Sequence, residues 1–385
     1  IWMLNPDADV NLGDLLAVTL GGVVLGLIFT ALFRKYFIET KQLPFAMGQA
    51  AAATLEVSDK GSKKVILLFA SMLAAGIFTY FRDWKMKIAS TILSSKTAVY
   101  GSFMGIWLSP MLISIGYIIG PVVIGVWFLG ALIGDAGILI GGVELGLWDS
   151  ATATDIKSSL GIGLMVGTGI GILVKGIIPK AKDIFGSMFV KDKLGDNFIN
   201  MRWAPLIMVI LAFVFTVVTD MGIAASIVTI LGAWLTTSMS AQCVGQSGIN
   251  PMEIFGIIIL IAAKAVSDIG EVESFFVAAV IAVACGLVGD VMNDFKAGHM
   301  LKTDPKAQWI AEVVGGLVGG VVSVCILFVI LKAYGPEAFG SEMFPAAQAS
   351  AVAAMVGGIS HMPAFIIGLI AATVLYCVNF PVITL

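Results

Sequence analysis

The sequence predicts an all-α polytopic membrane protein with roughly ten transmembrane segments, broken or re-entrant helices and internal repeats. Three observations predict it. The 385 residues are 59% hydrophobic and only 12% charged, with mean hydropathy +1.01, far from the composition of a soluble domain. Apolar runs recur along the chain at lengths suited to crossing about 30 Å of hydrocarbon. No stretch shows the period-two alternation with regular turns that a membrane β-barrel needs.

The segments follow in order. The first spans 12–33 and stops at Arg34-Lys35, and the second spans 65–81 and stops at Arg82, Lys85 and Lys87. Residues 97–134 carry no charge; as one helix they would extend about 57 Å, too long for a single crossing. The breakpoints expected there are Ser109-Pro110 and Gly120-Pro121, where proline ends a helix. Further segments are expected near 158–178, 204–220, 222–243, 252–268, 275–292, 309–332 and 362–385. Hydrophilic stretches are expected at 34–64, 82–96, 175–203 and 293–308. The lysines of the last two favour the cytoplasmic side. Both ends lie oddly for a whole chain, at Ile1 and within the apolar Val382-Ile383-Thr384-Leu385. The expectation is one transmembrane domain over 1–385, part of a larger polytopic protein.

Glycine, present 44 times, recurs with small-xxx-small spacing at Gly22/Gly26, Gly163/Gly167/Gly171 and Gly315/Gly319 with Gly316/Gly320. Such stripes let helices approach closely. Residues 21–45 and 161–183 share a Gly-rich helix, a basic turn and a proline, which suggests repeat halves of about 1–195 and 196–385.

Composition also excludes functions. A net charge of −3 leaves no footprint for nucleic acid. Cys243, Cys285, Cys325 and Cys377 sit in apolar runs without a C-x-x-C, and His299 and His361 are far apart, so no metal site and no cofactor are expected. The chain has no G-x-S-x-G, no H-E-x-x-H and no paired histidines, so it is not read as an enzyme.

The most informative stretch is 275–305. An uncharged run from Phe275 passes directly into Gly289-Asp290-Val291-Met292-Asn293-Asp294-Phe295-Lys296-Ala297-Gly298-His299. Asp290 and Asp294 lie four apart, on one helical face. Carboxylates at the end of a hydrocarbon-length helix need a partner or a wet cavity. They serve as a proton relay, or they pair with Lys296 or Lys302. Three further places combine proline, glycine and small polar residues at membrane depth: Ser109 to Pro121, Gly245 to Pro251, and Phe344 to Ser350. Broken helices there offer free backbone groups and amide or hydroxyl side chains to a peptide-like ligand.

These residues resemble the oligopeptide transporter family, which includes the yellow-stripe-like metal-chelate transporters. Leu43-Pro44-Phe45 with Gly48 and an Ala-rich helix is similar to that family's LPFPEG segment. Ser109-Pro110-Met111-Leu112-Ile113 with Gly116-Tyr117-Ile118-Ile119-Gly120-Pro121 is similar to its SPMLIGAGYIVGP segment. Gly245 to Pro251 resembles its GSSNNP loop, and Gly289 to Pro305 its GGDTSQDLKTGYLLGA-P segment. Pro345 to Gln348 matches its PQA region more loosely. The matches run in family order across most of the chain. The departures are Ala46 and Met47 after the first proline, Ala53 in place of a helix Glu with Glu56 three positions on, and Met292 in place of Ser or Thr. The family's first and last helices are expected to be missing.

The resemblance implies secondary active transport of short peptides, peptide-like compounds or metal chelates, coupled to protons and working by alternating access in the cell membrane. On that basis Asp290 and Asp294 are the proton-coupling pair. Ser109, Tyr117, Ser247, Asn250, Gln348, Lys296 and His299 line the substrate path. The expected partners are the peptide or metal-chelate substrate, the proton, membrane lipid and further copies of the chain in a homo-oligomer. An uncoupled facilitator or channel for small polar solutes is the alternative, and it predicts flux that ignores the proton gradient.

Overall fold

The computed structural model describes residues 1–3, 5–8, 10–59, 63–85, 91–93, 105–180, 203–341, 344, 346, 349, 352–353 and 359–382. They form a predominantly helical membrane protein, with one short β pair among the described residues. Seven helices among the described residues are long and apolar enough to cross a membrane, and Pro110–Ile119, Ala204–Val218 and Met362–Cys377 are shorter apolar helices.

In chain order these are α1 (Leu12–Arg34), α2 (Ala46–Asp59), α3 (Lys63–Tyr80), α4 (Pro110–Ile119), α5 (Pro121–Ala131), α6 (Ser150–Gly171), α7 (Ala204–Val218), α8 (Ile223–Ser247), α9 (Met252–Val266), α10 (Glu271–Leu301), α11 (Pro305–Tyr334) and α12 (Met362–Cys377). A short antiparallel pair, β1 (Thr91–Leu93) with β2 (Gly105–Trp107), precedes α4. Both proline breakpoints start helices. Ser109 caps α4 by accepting from the Leu112 N–H at 3.4 Å, and Gly120 takes φ +96° before α5. Pro at the first helical position costs nothing, because that N–H has no intrahelical partner.

The chain forms two compact units, one of residues 1–48 and 172–359, the other of 49–171 and 360–385. In the first, α1, α8, α9 and α11 pack around α10. Phe29, Phe33, Phe255 and Phe295 are buried there. The expected Gly22/Gly26 stripe is the α1 side of this packing: a Cβ on Gly22 would sit 2.9 Å from the Val280 carbonyl oxygen, and one on Gly26 3.0 Å from that of Ala284. Asp220 is exposed in a tight connection between α7 and α8.

In the second unit, α6 packs along α12. A Cβ on Gly163 or Gly167 would run into the backbone of Phe365 or Leu369, so only glycine permits this spacing. Thr373 Oγ1 donates to the Gly167 carbonyl at 3.0 Å, and Ser159 Oγ accepts from the His361 N–H at 3.0 Å.

One expected boundary differs. Residues 293–301, read as the start of a hydrophilic stretch, continue α10 to Leu301. Phe295, Lys296, Ala297 and Gly298 are buried against neighbouring elements, and that packing sustains the helix past the point where the sequence turns polar. The turn comes at Lys302, with φ +60°. Asp304 then caps α11 by accepting from the Lys306 N–H at 3.1 Å.

Candidate functional site

α10 positions the acidic pair. Asp290 lies eleven residues before Leu301, about 16 Å from the helix end, and Asp294 about 10 Å from it. Both are exposed on the surface of the first unit. Among the described residues neither carboxylate has a basic partner. Lys296, one of the two cations considered as a partner, lies about 140° around the helix from them. Its Nζ donates to the Leu43 carbonyl at 2.9 Å.

The pair's partner is instead a third acid. The α10–α11 turn places Glu312 at the same depth as Asp294, about 10 Å into α11. Glu312 and Asp294 thus stand across the α10–α11 hairpin from one another, with Asp290 one helical turn further along α10. Like charges brought together favour the protonated form of one of them, so a group of three acids is suited to holding a proton. The Gln308 amide, donating to the Asp294 carbonyl at 2.7 Å, holds the two helices in this register. Sequence reading missed Glu312 because it stands alone in the apolar run of α11. The signal was its distance from the Lys302–Asp304 turn, which matches that of Asp294.

The expected substrate-lining residues divide between the units. Ser109 and Tyr117 belong to one; Ser247, Asn250, Lys296 and His299 to the other; Gln348 lies outside the described residues. Ser109 is buried as the α4 cap. Tyr117 is 89% exposed. Ser247 Oγ donates to the Cys243 carbonyl at 2.8 Å and accepts from the Ile249 N–H at 3.2 Å, ending α8. Asn250 Nδ2 donates to the Cys285 carbonyl at 2.8 Å, while the Ser240 hydroxyl lies 2.8 Å from Asn250 Oδ1 and 2.9 Å from that carbonyl. The Gly245–Pro251 loop is thus stapled to the middle of α10. His299 is exposed near the end of α10. No group of three His, Cys, Asp or Glu side chains among the described residues is arranged to hold a metal ion.

A bundle of long apolar helices with carboxyl groups set well inside two of them defines a multi-pass integral membrane protein. Residues 2–383 match the family model described as OPT oligopeptide transporter protein. The chain belongs to the OPT oligopeptide transporter family. It is 30% identical to the "Probable metal-nicotianamine transporter YSL9" of Oryza sativa subsp. japonica, over 32% of this chain and 19% of that one. It is 37% identical to the metal-nicotianamine transporter YSL2 of Arabidopsis thaliana, over 14% of this chain and 9% of that one. It is 24% identical to the "Putative oligopeptide transporter" of Haemophilus influenzae, over 93% of this chain and 66% of that one. The matched stretches span less than two thirds of each relative's length.

Proposed function

We propose that this chain is the transport core of a proton-coupled symporter in the cell membrane, moving short peptides or peptide-like metal chelates by alternating access. The observation that carries this reading is the acidic set of Asp290, Asp294 and Glu312. It lies on the α10–α11 hairpin, about 10–16 Å from the helix ends at the turn, and has no basic partner among the described residues. Clustered acids without a basic partner can hold and release a proton without separating an ion pair. The substrate class rests on the family and on relatives named for oligopeptide and metal-nicotianamine transport.

Of the expected substrate-lining residues, Tyr117 in one unit and His299 in the other are exposed, each within its own unit. The side chains of Ser109, Ser247, Asn250 and Lys296 already hold backbone groups.

The test is uptake by the full-length protein in liposomes. A panel of labelled short peptides and metal–nicotianamine complexes is offered with and without an inward proton gradient, to wild type, Asp290→Asn and Asp294→Asn. Gradient-driven accumulation that collapses in either variant is expected. Uptake indifferent to both gradient and substitution would make the aspartates structural and the protein an uncoupled facilitator.

A further inference from the structure

Away from the aspartates' own contacts, α10 also touches the chain segment that follows α1, at Asn293 and Lys296. Between the end of α1 and the start of α2 the chain makes a π-helical turn (Lys35–Thr40) and then a non-helical connection, Lys41–Phe45. This connection is held in an unusual shape. Gln42 and Phe45 take φ +51° and +45°, the left-handed region that non-glycine residues avoid. Such a conformation persists only where its surroundings over-determine it.

The surroundings here are specific. Lys296 Nζ donates to the Leu43 carbonyl at 2.9 Å. One helical turn back, Asn293 Oδ1 accepts from the Gly48 N–H at 3.1 Å. The Phe45 N–H donates to the Gly245 carbonyl of α8 at 3.0 Å, and the Leu43 N–H to the Phe37 carbonyl at 3.0 Å. Phe45 is wholly buried. A Cβ on Gly48 would collide with the Asn293 carbonyl oxygen, so the chain crosses α10 at the closest approach that glycine allows. Just before the connection, the Arg34 guanidinium lies 5.4 Å from the centroid of the Phe295 ring, on the same stretch of α10.

Lys296 is 9% exposed, and its one hydrogen-bond acceptor among the described residues is a backbone carbonyl, with no carboxylate beside it. Burying an ammonium group for a surface contact would be unfavourable. Holding a strained backbone in place is a sufficient reason for it.

We propose that Lys296 and Asn293 are positioning residues: a two-point clamp that fixes the Leu43–Gly48 connection to the helix carrying Asp290 and Asp294, so that the connection follows this helix through the transport cycle. The coupling to transport rests on the function proposed above. The clamp itself does not.

The test uses full-length protein in lipid nanodiscs and in liposomes, comparing Lys296→Met, Lys296→Arg and Asn293→Ala. Hydrogen–deuterium exchange of the amides at 43–48 is expected to rise about tenfold or more in Lys296→Met and Asn293→Ala. It should return toward wild type in Lys296→Arg, which keeps a donor within reach of Leu43. Uptake by Lys296→Met should lose turnover while half-saturation stays within about twofold of wild type, with Lys296→Arg restoring turnover. Unchanged exchange in both donor- and acceptor-loss variants would overturn the clamp. Raised half-saturation in Lys296→Met with exchange at 43–48 unchanged would overturn it too, and make Lys296 a substrate ligand. If Lys296→Met does not fold, the Gly48 amide in Asn293→Ala decides alone. If wild type transports nothing, the exchange arm still decides, and that failure falls on the transport reading.

Discussion

Replacing Glu312 with Gln separates a transported proton from a structural contact. Gln matches Glu in shape, and its amide N–H can donate to a carboxylate, so the α10–α11 packing survives while the protonatable carboxyl is lost. Gln308 holds the same hairpin independently. Stability should therefore change by less than about 1 kcal/mol, the range of one interhelical hydrogen bond in a membrane. The effect on transport is larger. An acidic set holding one proton couples one proton per cycle. An inward gradient of one pH unit then supplies about 1.4 kcal/mol, or about tenfold accumulation of an electroneutral substrate at zero membrane potential. The assay is the steady-state ratio of internal to external label in liposomes with the potential clamped. Wild type should approach about tenfold and Glu312→Gln about onefold, while exchange of labelled for unlabelled substrate without a gradient persists. A Glu312→Gln protein that still accumulates like wild type refutes a role for Glu312 in carrying the proton. About hundredfold accumulation by wild type would require a second proton, and Asp290 would be its carrier.

Three other outcomes are expected. Asn250→Leu removes the staple to Cys285, costing about 1 kcal/mol and lowering Tm by about 2–4 °C, with half-saturation unchanged; raised half-saturation at unchanged Tm would make Asn250 a substrate ligand. Gly167→Val forces α6 from α12 and breaks the Thr373 bond, costing about 2–4 kcal/mol, visible as loss of exchange protection in α12; protection equal to wild type would contradict the close approach. Asp149 accepts from the Ala151 N–H at 3.2 Å and from the Thr152 hydroxyl, and the Thr152 bond chiefly holds its carboxyl below the usual range. A lowered pKa stabilises the fold above the ordinary carboxylate range and the benefit is lost as pH falls through the lowered value, so acid should loosen the first turn of α6 in wild type more than in Asp149→Asn.

The spans were legible because hydrocarbon imposes a length and a composition, and both breakpoints because proline cannot continue a helix. The glycine stripes were legible as contacts but not as to partner. Gly163 and Gly167 meet α12, about two hundred residues away, whereas Gly315 and Gly319 on the equally regular stripe of α11 meet nothing within 4 Å. Spacing says that a backbone can come close, and only topology says which one does. The aspartates stood out because charge in an apolar helix is rare. Their relation to Lys296 was not legible, since proximity in sequence says little about direction around a helix. Glu312 was hidden for the converse reason: its partner is eighteen residues away in sequence and adjacent in space only because the turn falls at Lys302.

Magnitudes also constrain which part moves in an alternating-access cycle. α10 is tied to its neighbours by Asn250 and Ser240 at Cys285, by Lys296 at Leu43, by Asn293 at Gly48 and by Gln308 at Asp294. At about 0.6 kcal/mol each, these bonds together oppose a slide of α10 by about 3 kcal/mol, before any loss of packing at Gly22 and Gly26. A one-unit proton gradient supplies about 1.4 kcal/mol per proton. Proton entry at the acidic set can therefore offset the loss of two such bonds, not all of them. Under the proposed mechanism α10 does not slide alone: it moves with α1, α8, α9 and the Leu43–Gly48 connection as one body, and the acidic set biases where that body rests.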